Sequence, residues 1–423
     1  MAFFRSIRSF WKALGPGLIT GASDNDPSGI ASYSIAGAKT GFGLLWALPF
    51  TIPFMIAIQE MSARIGALSA CGLTGNIKRH YPTWLLAIVS GGIIGANVLN
   101  IGADIAGMTS AAQLLFPGLP TMLTATTLTL LIVGMIIWLR YATIVAIFKW
   151  LALSLLAYIG AFAIVQGDAY DMLVHTLLPA LSWDRDTVLV FFAILGTTIS
   201  PYLYFWQSSE EAEEVREKNT RIRVCKFRPL TDNRLNVIEL DTVIGMSFSN
   251  VVAYFIVALT GATLYGAGAR DVESIAQIAE ALRPLAGEYA YVLFTLGLIS
   301  SGFLAIPVLA GSAAYVLAEI FDWERSLDKP FSRARAFYIV LACSAFVGLI
   351  VPFGGISPVQ ALFYTAILHA IVSPPLILLI THMANNKAIV GDRVSSPTIR
   401  GLALGATWVM TITGILLIIP GIW

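Results

Sequence analysis

Two of the long apolar segments in this chain are broken in the middle. Ser23-Asp24-Asn25-Asp26-Pro27-Ser28-Gly29 interrupts the first, and Thr197-Thr198-Ile199-Ser200-Pro201-Tyr202 interrupts the sixth. A segment crossing hydrocarbon must satisfy its own backbone groups, so proline, glycine and a carboxylate at that depth need surrounding protein or a polar cavity. Breaks at matching positions of two five-helix halves are the pattern of an inverted repeat with its binding site at the breaks.

The rest of the chain supports a membrane reading. Hydrophobic residues make up 57% and charged residues 12% of the 423 positions, where soluble proteins carry roughly 25% charged residues. Eleven spans are predicted near 14–36, 43–69, 84–114, 121–139, 143–166, 187–208, 240–264, 288–320, 335–352, 358–382 and 398–420, each near the ~20 residues a crossing helix needs. Repeat one is then 14–166, repeat two 187–382, and 398–420 is an extra helix, all in one transporter-like domain. With a cytoplasmic N-terminus, only Lys39, Arg185, Arg270 and Arg283 fall outside, leaving 22 of the 26 basic residues inside, as the positive-inside rule asks. A net charge of +1 suggests no attraction to nucleic acid. Met1 to Lys12 reads as a short basic amphipathic lead-in, with no cleavable signal peptide expected. Cys71, Cys225 and Cys343 have neither metal nor disulfide spacing. The stretch 209–239, opening on Glu210, Glu211, Glu213 and Glu214, reads as a solvated cytoplasmic loop, with a metal-sensing role as the sharper alternative.

At the first break, Asp26 before Pro27 reads as an N-cap followed by proline at the first helical position. The helix should end near Ser23 and restart at Pro27, leaving carbonyls without helical partners. Ser200-Pro201 repeats the arrangement. Two carbonyl ends plus the Asp26 carboxylate make an oxygen-rich cage suited to hard cations such as Mg²⁺, Mn²⁺ or Ca²⁺. Packing kinks alone are the plainer explanation of each break, but they do not account for a symmetric pair with a carboxylate.

These residues resemble the NRAMP divalent-metal transporters. Gly15-Pro16-Gly17-Leu18 leading to Asp26-Pro27 is similar to the family's first helix, with its Asp-Pro-Gly-Asn motif. Gln59-Glu60-Met61-Ser62-Ala63-Arg64-Ile65-Gly66 resembles its second-helix signature, and Gly196 to Pro201 stands in the place of a sixth-helix motif ending Met-Pro-His. The resemblance implies an all-α integral membrane protein of the LeuT-type fold, a 5+5 inverted repeat with discontinuous helices 1 and 6 plus an eleventh helix. It also implies metal ligands: the Asp26 carboxylate, the carbonyls of Ser23 and Thr197, and Ser200 through its hydroxyl or a water. Gly29 replaces the family's Asn and Ser200 its Met, which exchanges soft for hard ligands. Mg²⁺ keeps several waters and suits such a site, and the chain is similar to the family's divergent, magnesium-transporting branch. In the third helix Asp104 remains, while Gly107 replaces a proton-path Glu. Tyr202 replaces a sixth-helix His and is a poor proton carrier near neutrality. Weak or absent proton coupling follows as an expectation.

Asn97, Asn100 and Asp104 share one helix face and could line the path or hold helices together. Asp24 is assigned to the path, and Glu60 and Arg64 should pair one turn apart. Trp206 and Gln207 are expected at the inner mouth or interface, His369 in packing, and Trp11, Trp84, Trp183 and Trp423 at interfaces. No cofactor is expected beyond the transported ion. The expected partners are that ion and the bilayer, with a monomer sufficient and the plasma membrane as location. The competing readings are a proton-coupled Mn²⁺/Fe²⁺ importer and a Na⁺-coupled amino-acid symporter, which Asp26 disfavours by repelling a substrate carboxylate. An intramembrane enzyme lacks a His-Glu-x-x-His or a histidine cluster, and a channel lacks a filter loop.

Overall fold

The computed structural model describes residues 16–139, 155–165, 169–179, 184–217, 225–327 and 329–419, with isolated positions between 140 and 154. Expectations for the basic lead-in, for most of the fifth span and for Trp11, Trp183 and Trp423 lie outside the described residues.

The first span is two helices, α1 (Pro16–Ser23) and α2 (Pro27–Thr40). There follow α3 (Ala47–Ser69), α4 (Leu73–His80), α5 (Thr83–Leu115), α6 (Thr121–Trp138), α7 (Leu156–Val165) and α8 (Ala169–Leu177). The sixth span is likewise split, into α9 (Arg185–Thr198) and α10 (Pro201–Glu217). Then come α11 (Asp232–Thr260), continued by a π-turn at Gly261–Tyr265, and α12 (Ile275–Glu280). The last four long helices are α13 (Ala290–Ile320), α14 (Arg335–Gly348), α15 (Pro358–Ala384) and α16 (Pro397–Ile418). Among the described residues eight segments are long and apolar enough to cross a membrane, counting Arg185–Glu217 as one. The split first span, the more polar α3 and the fifth span stand outside that count. This is an integral, multi-pass, all-helical protein.

Small residues set how closely the broken helices approach their neighbours, as in other membrane bundles where backbones meet. A Cβ on Gly21 would stand 2.0 Å from the Gly245 carbonyl oxygen, so α1 lies directly on α11. A Cβ on Gly196 would stand 2.0 Å from the Ala366 oxygen, which presses α9 onto α15. Gly66 brings α3 equally close to Ser208 of α10. Asp241 of α11 accepts the Gly17 amide at 2.7 Å, a charge-assisted bond to one of the free N–H groups that open α1.

Three expectations are corrected here. The acidic run is not a solvated loop: α10 continues through it to Glu217, and the next helix starts at Asp232. Glu210 and Glu211 are buried; Tyr315 donates to Glu210 at 2.8 Å, and Arg234 of α11 bridges Glu211 and Glu214. Glu and Ala are good helix formers, and an arginine twenty residues on supplies the opposite charge. Cys71 and Cys225 form a disulfide with Cα atoms 5.3 Å apart, because residues 226–228 run beside the end of α3, Lys226 N donating to Ser69 O and Arg228 N to Leu68 O. Trp206 and Gln207 are not at an interface but buried. Trp206 packs over Gly311, while Gln207 accepts from Gln59 at 2.6 Å and donates to Thr242 at 2.9 Å. Trp84 does stand exposed at the start of α5, and Glu60 pairs with Arg64 at 3.0 Å.

Candidate metal centre

At the first break α1 stops at Ser23 and α2 starts at Pro27, as the N-cap and proline spacing predicts. Asp26 has extended backbone geometry (φ −68°, ψ 170°), and its Oδ1 accepts the Gly29 amide at 2.6 Å. The Ser28 hydroxyl donates to both carboxylate oxygens, at 2.9 and 2.8 Å. Asn100 Nδ2, reaching across from α5, donates to Asp26 Oδ2 at 2.8 Å and to Asp104 Oδ2 at 3.1 Å. One amide thus ties two buried carboxylates together.

The second break is built without charge. α9 ends at Thr198 and α10 starts at Pro201. Ser200 Oγ donates to the Thr197 carbonyl at 2.6 Å, and Ser373 of α15 donates to the Ile199 carbonyl at 2.9 Å. The two breaks touch twice. Tyr202 donates its hydroxyl to the Ser23 carbonyl at 2.9 Å. Thr198 gives its own proton to Ile194 O, so Tyr33 of α2 donates to Thr198 Oγ1 at 3.2 Å. A Cβ on Gly29 would lie 3.0 Å from Thr197 Oγ1 and 3.1 Å from Asp26 Oδ1, so this position faces both breaks.

Asp26, Ser23, Thr197, Ser200, Asn100, Asp104, Tyr202 and Gly29 therefore come together around the two breaks. Asn97 does not join them. Its amide donates to the Leu309 carbonyl of α13 at 3.1 Å, the helix-packing alternative. Asp24 turns toward α11, where Ser249 donates to it. Gly107 faces Leu362, whose Cδ1 would be 2.9 Å from an added Cβ, so the place of the family's Glu is apolar. His369 is more than a distant packing residue. It is buried, its ring lies 5.7 Å from that of Tyr202, and its Nε2 has no hydrogen-bond partner. A histidine inside an apolar helix was the only sequence signal for it.

Chemically the centre offers carboxylate, carbonyl, amide and hydroxyl oxygens. Among the described residues no three His, Cys, Asp or Glu side chains gather as a metal cluster, and Asp24, Asp26 and Asp104 have no ion-pair partner; the buried ion pairs are Glu60–Arg64, Glu211–Arg234 and Glu319–Arg325. Buried carboxylates without a cation are costly. Asp26 and Ser200 are each 2% exposed, so the centre is shut from both faces.

A bundle of membrane-length helices, two of them broken around a closed, oxygen-lined carboxylate, defines a transporter of the LeuT-type fold rather than an enzyme. Solved structures agree on the fold. A manganese transporter of Eremococcus coleocola aligns at TM-score 0.69 and 16% identity over 96% of this chain and 87% of its own. The nucleobase-cation-symport-1 family transporter Mhp1 aligns at 0.59 and 16% identity over 96% of this chain and 90% of its own. The family of natural resistance-associated macrophage protein-like (Nramp) sequences matches residues 17–420, and the chain belongs to it. Among its relatives, the divalent metal cation transporter MntH of Caldanaerobacter subterraneus subsp. tengcongensis is 25% identical over 97% of this chain and 94% of its own length. The metal transporter Nramp4 of Arabidopsis thaliana is 24% identical over 70% of this chain and 58% of its own.

Proposed function

We propose that this protein is a secondary transporter that imports divalent metal cations, Mg²⁺ by preference and Mn²⁺ as well, by alternating access with weak or no proton coupling. The observation that carries the divalent assignment is the Asp26–Asn100–Asp104 arrangement, two carboxylates joined by one amide with no basic partner. The names of the MntH and Nramp4 relatives point the same way. Asp26 is the charged ligand. The Ser23 and Thr197 carbonyls and Ser200 complete the set, with Asp24, Gly29, Asn100, Asp104 and Tyr202 on the path or behind the ligands. Each carbonyl oxygen keeps a second lone pair beside the hydrogen bond it accepts.

Ser200 supports Mg²⁺, since a hydroxyl without a thioether gives no basis for excluding a hard ion. Leu362 against Gly107 supports weak proton coupling, because no acid stands there and the space for one is filled. Import would then follow the ion gradient and the membrane potential, which supplies roughly 4.6 kcal/mol per 100 mV for a divalent ion. The charge pattern of the loops supports a cytoplasmic N-terminus, and an importer of this kind would work in the plasma membrane. A monomer contains the whole site.

One observation favours a second reading, the proton-coupled Mn²⁺/Fe²⁺ importer. His369 sets an imidazole against Tyr202, and imidazole is the side chain whose charge ordinarily changes between pH 5 and 8. Proteoliposomes with an inside-negative potential and a lumenal pH dye separate the two. Mg²⁺ uptake without acidification supports the first reading, and Mn²⁺-driven acidification with Mg²⁺ excluded supports the second.

A further inference from the structure

Three carboxylates are buried around the first break, Asp24, Asp26 and Asp104, and among the described residues none has a basic partner. A divalent ion held by Asp26 with Asp104 behind it, on the reading above, offsets two of these charges. Asp24 is left over.

Asp24 also belongs to a different network. Ser249 Oγ of α11 donates to Asp24 Oδ2 at 2.5 Å. Asn25 Nδ2 donates to Ser249 Oγ at 3.1 Å and to the Ser249 carbonyl at 3.2 Å. A carbonyl only accepts, so the Asn25 nitrogen must face it, and Asn25 Oδ1 is left as an acceptor. Asp24 Oδ1 and Asn25 Oδ1 are both fully buried with no hydrogen-bond donor. The Tyr204 hydroxyl of α10 is buried and unpartnered too. A water could satisfy the acceptors, yet it would leave the carboxylate charge uncompensated in a medium where an isolated charge is not tolerated.

We infer that Asp24, Asn25 and Ser249 form a second cation site that takes a monovalent hard ion, Na⁺. All the donors are hard oxygens. A single carboxylate among neutral oxygens balances one positive charge, whereas a divalent ion would bury a surplus one. The site is built against α11, while the Asp26 centre is built against α5.

The test is equilibrium binding of radiosodium to the purified full-length protein, with choline as the replacement cation and no divalent ion present. Saturable binding is expected in the parent protein. It should weaken by about tenfold or more in Asp24→Asn, the loss of one charged ligand, weaken in Ser249→Ala, and persist in Asp26→Asn. If Asp24→Asn does not elute as a folded species, Ser249→Ala and Asn25→Ala carry the test. Absence of saturable binding in the parent, as when Asp24 holds a proton, overturns the inference. So does binding lost in Asp26→Asn and kept in Asp24→Asn, which would mean that sodium merely enters the divalent centre. Failure of the divalent reading itself shows elsewhere, as normal Mg²⁺ and Mn²⁺ uptake by Asp26→Asn.

Discussion

The two breaks are built alike in backbone and oppositely in charge. At the first, Asp26 caps the restarting helix with its own side chain and reaches through Asn100 to a second carboxylate on α5. At the second, Ser200 turns its hydroxyl back onto the Thr197 carbonyl, and Ser373 steadies Ile199 from outside. Symmetry of the chain therefore supplies two hinges, but only one is an electrostatic site. On the proposed reading, the first break sets affinity and the second sets which ion fits.

Removing the charge should have the largest effect. Asp26→Ala is expected to abolish Mg²⁺ and Mn²⁺ uptake in proteoliposomes; uptake at the parent rate would take the ion away from the first break altogether. Exchanging the neutral ligand should change preference more than rate. Ser200→Met is expected to move the Mn²⁺-to-Mg²⁺ uptake ratio toward Mn²⁺ by about tenfold, the weight of roughly 1.4 kcal/mol, and an unaltered ratio would remove Ser200 from the ion's surroundings. Gly29→Asn crowds both breaks at once, because its Cβ arrives 3.0 Å from Thr197 Oγ1. Uptake should fall several-fold, and Thr197→Ala should restore part of it in the double variant. No restoration would show that the two breaks do not share this space.

Gly107→Glu should lower stability by about 1–3 kcal/mol through overpacking against Leu362, with no gain of proton flux. The double variant with Leu362→Ala makes room for the acid, and lumenal acidification appearing only there would identify the packing as the obstacle. The smallest effect on transport belongs to Cys71→Ser. It should lower the melting temperature, in line with the ~2–4 kcal/mol typical of a disulfide, and leave the Mn²⁺-to-Mg²⁺ ratio alone; a changed ratio would tie this distant link to the centre.

Where a structural instruction is local, the chain could be read directly. The ends of α1 and α2 follow from Asp26-Pro27 and those of α9 and α10 from Ser200-Pro201, because caps and prolines act on their own turn. The shared face of Asn100 and Asp104 was legible for the same reason, as helical spacing. Asn97 on that same face bonds to Leu309, 212 residues away, and nothing in its spacing separates it from Asn100. The pairing of Cys71 with Cys225 and the burial of Glu211 against Arg234 likewise depend on partners far along the chain. Ser249, Ser373 and His369 have roles only once α11 and α15 are laid against the breaks. Those contacts are decided by helix packing, which leaves no periodic mark in any one segment.

The bare contact between Gly21 and Gly245 bears on how closely the first half of the broken span can be seated. With no side chain at this one point, α1 rests on α11 there as a shaft rests in a plain bearing, touching through the dispersion between two backbones. The Gly17–Asp241 and Asn25–Ser249 hydrogen bonds pin it to α11 on either side of that point. A single methyl on Gly21 would act as a key in the shaft, since it would enter the space of the Gly245 carbonyl. The closeness of the two helices at this crossing is thus stored in one hydrogen atom.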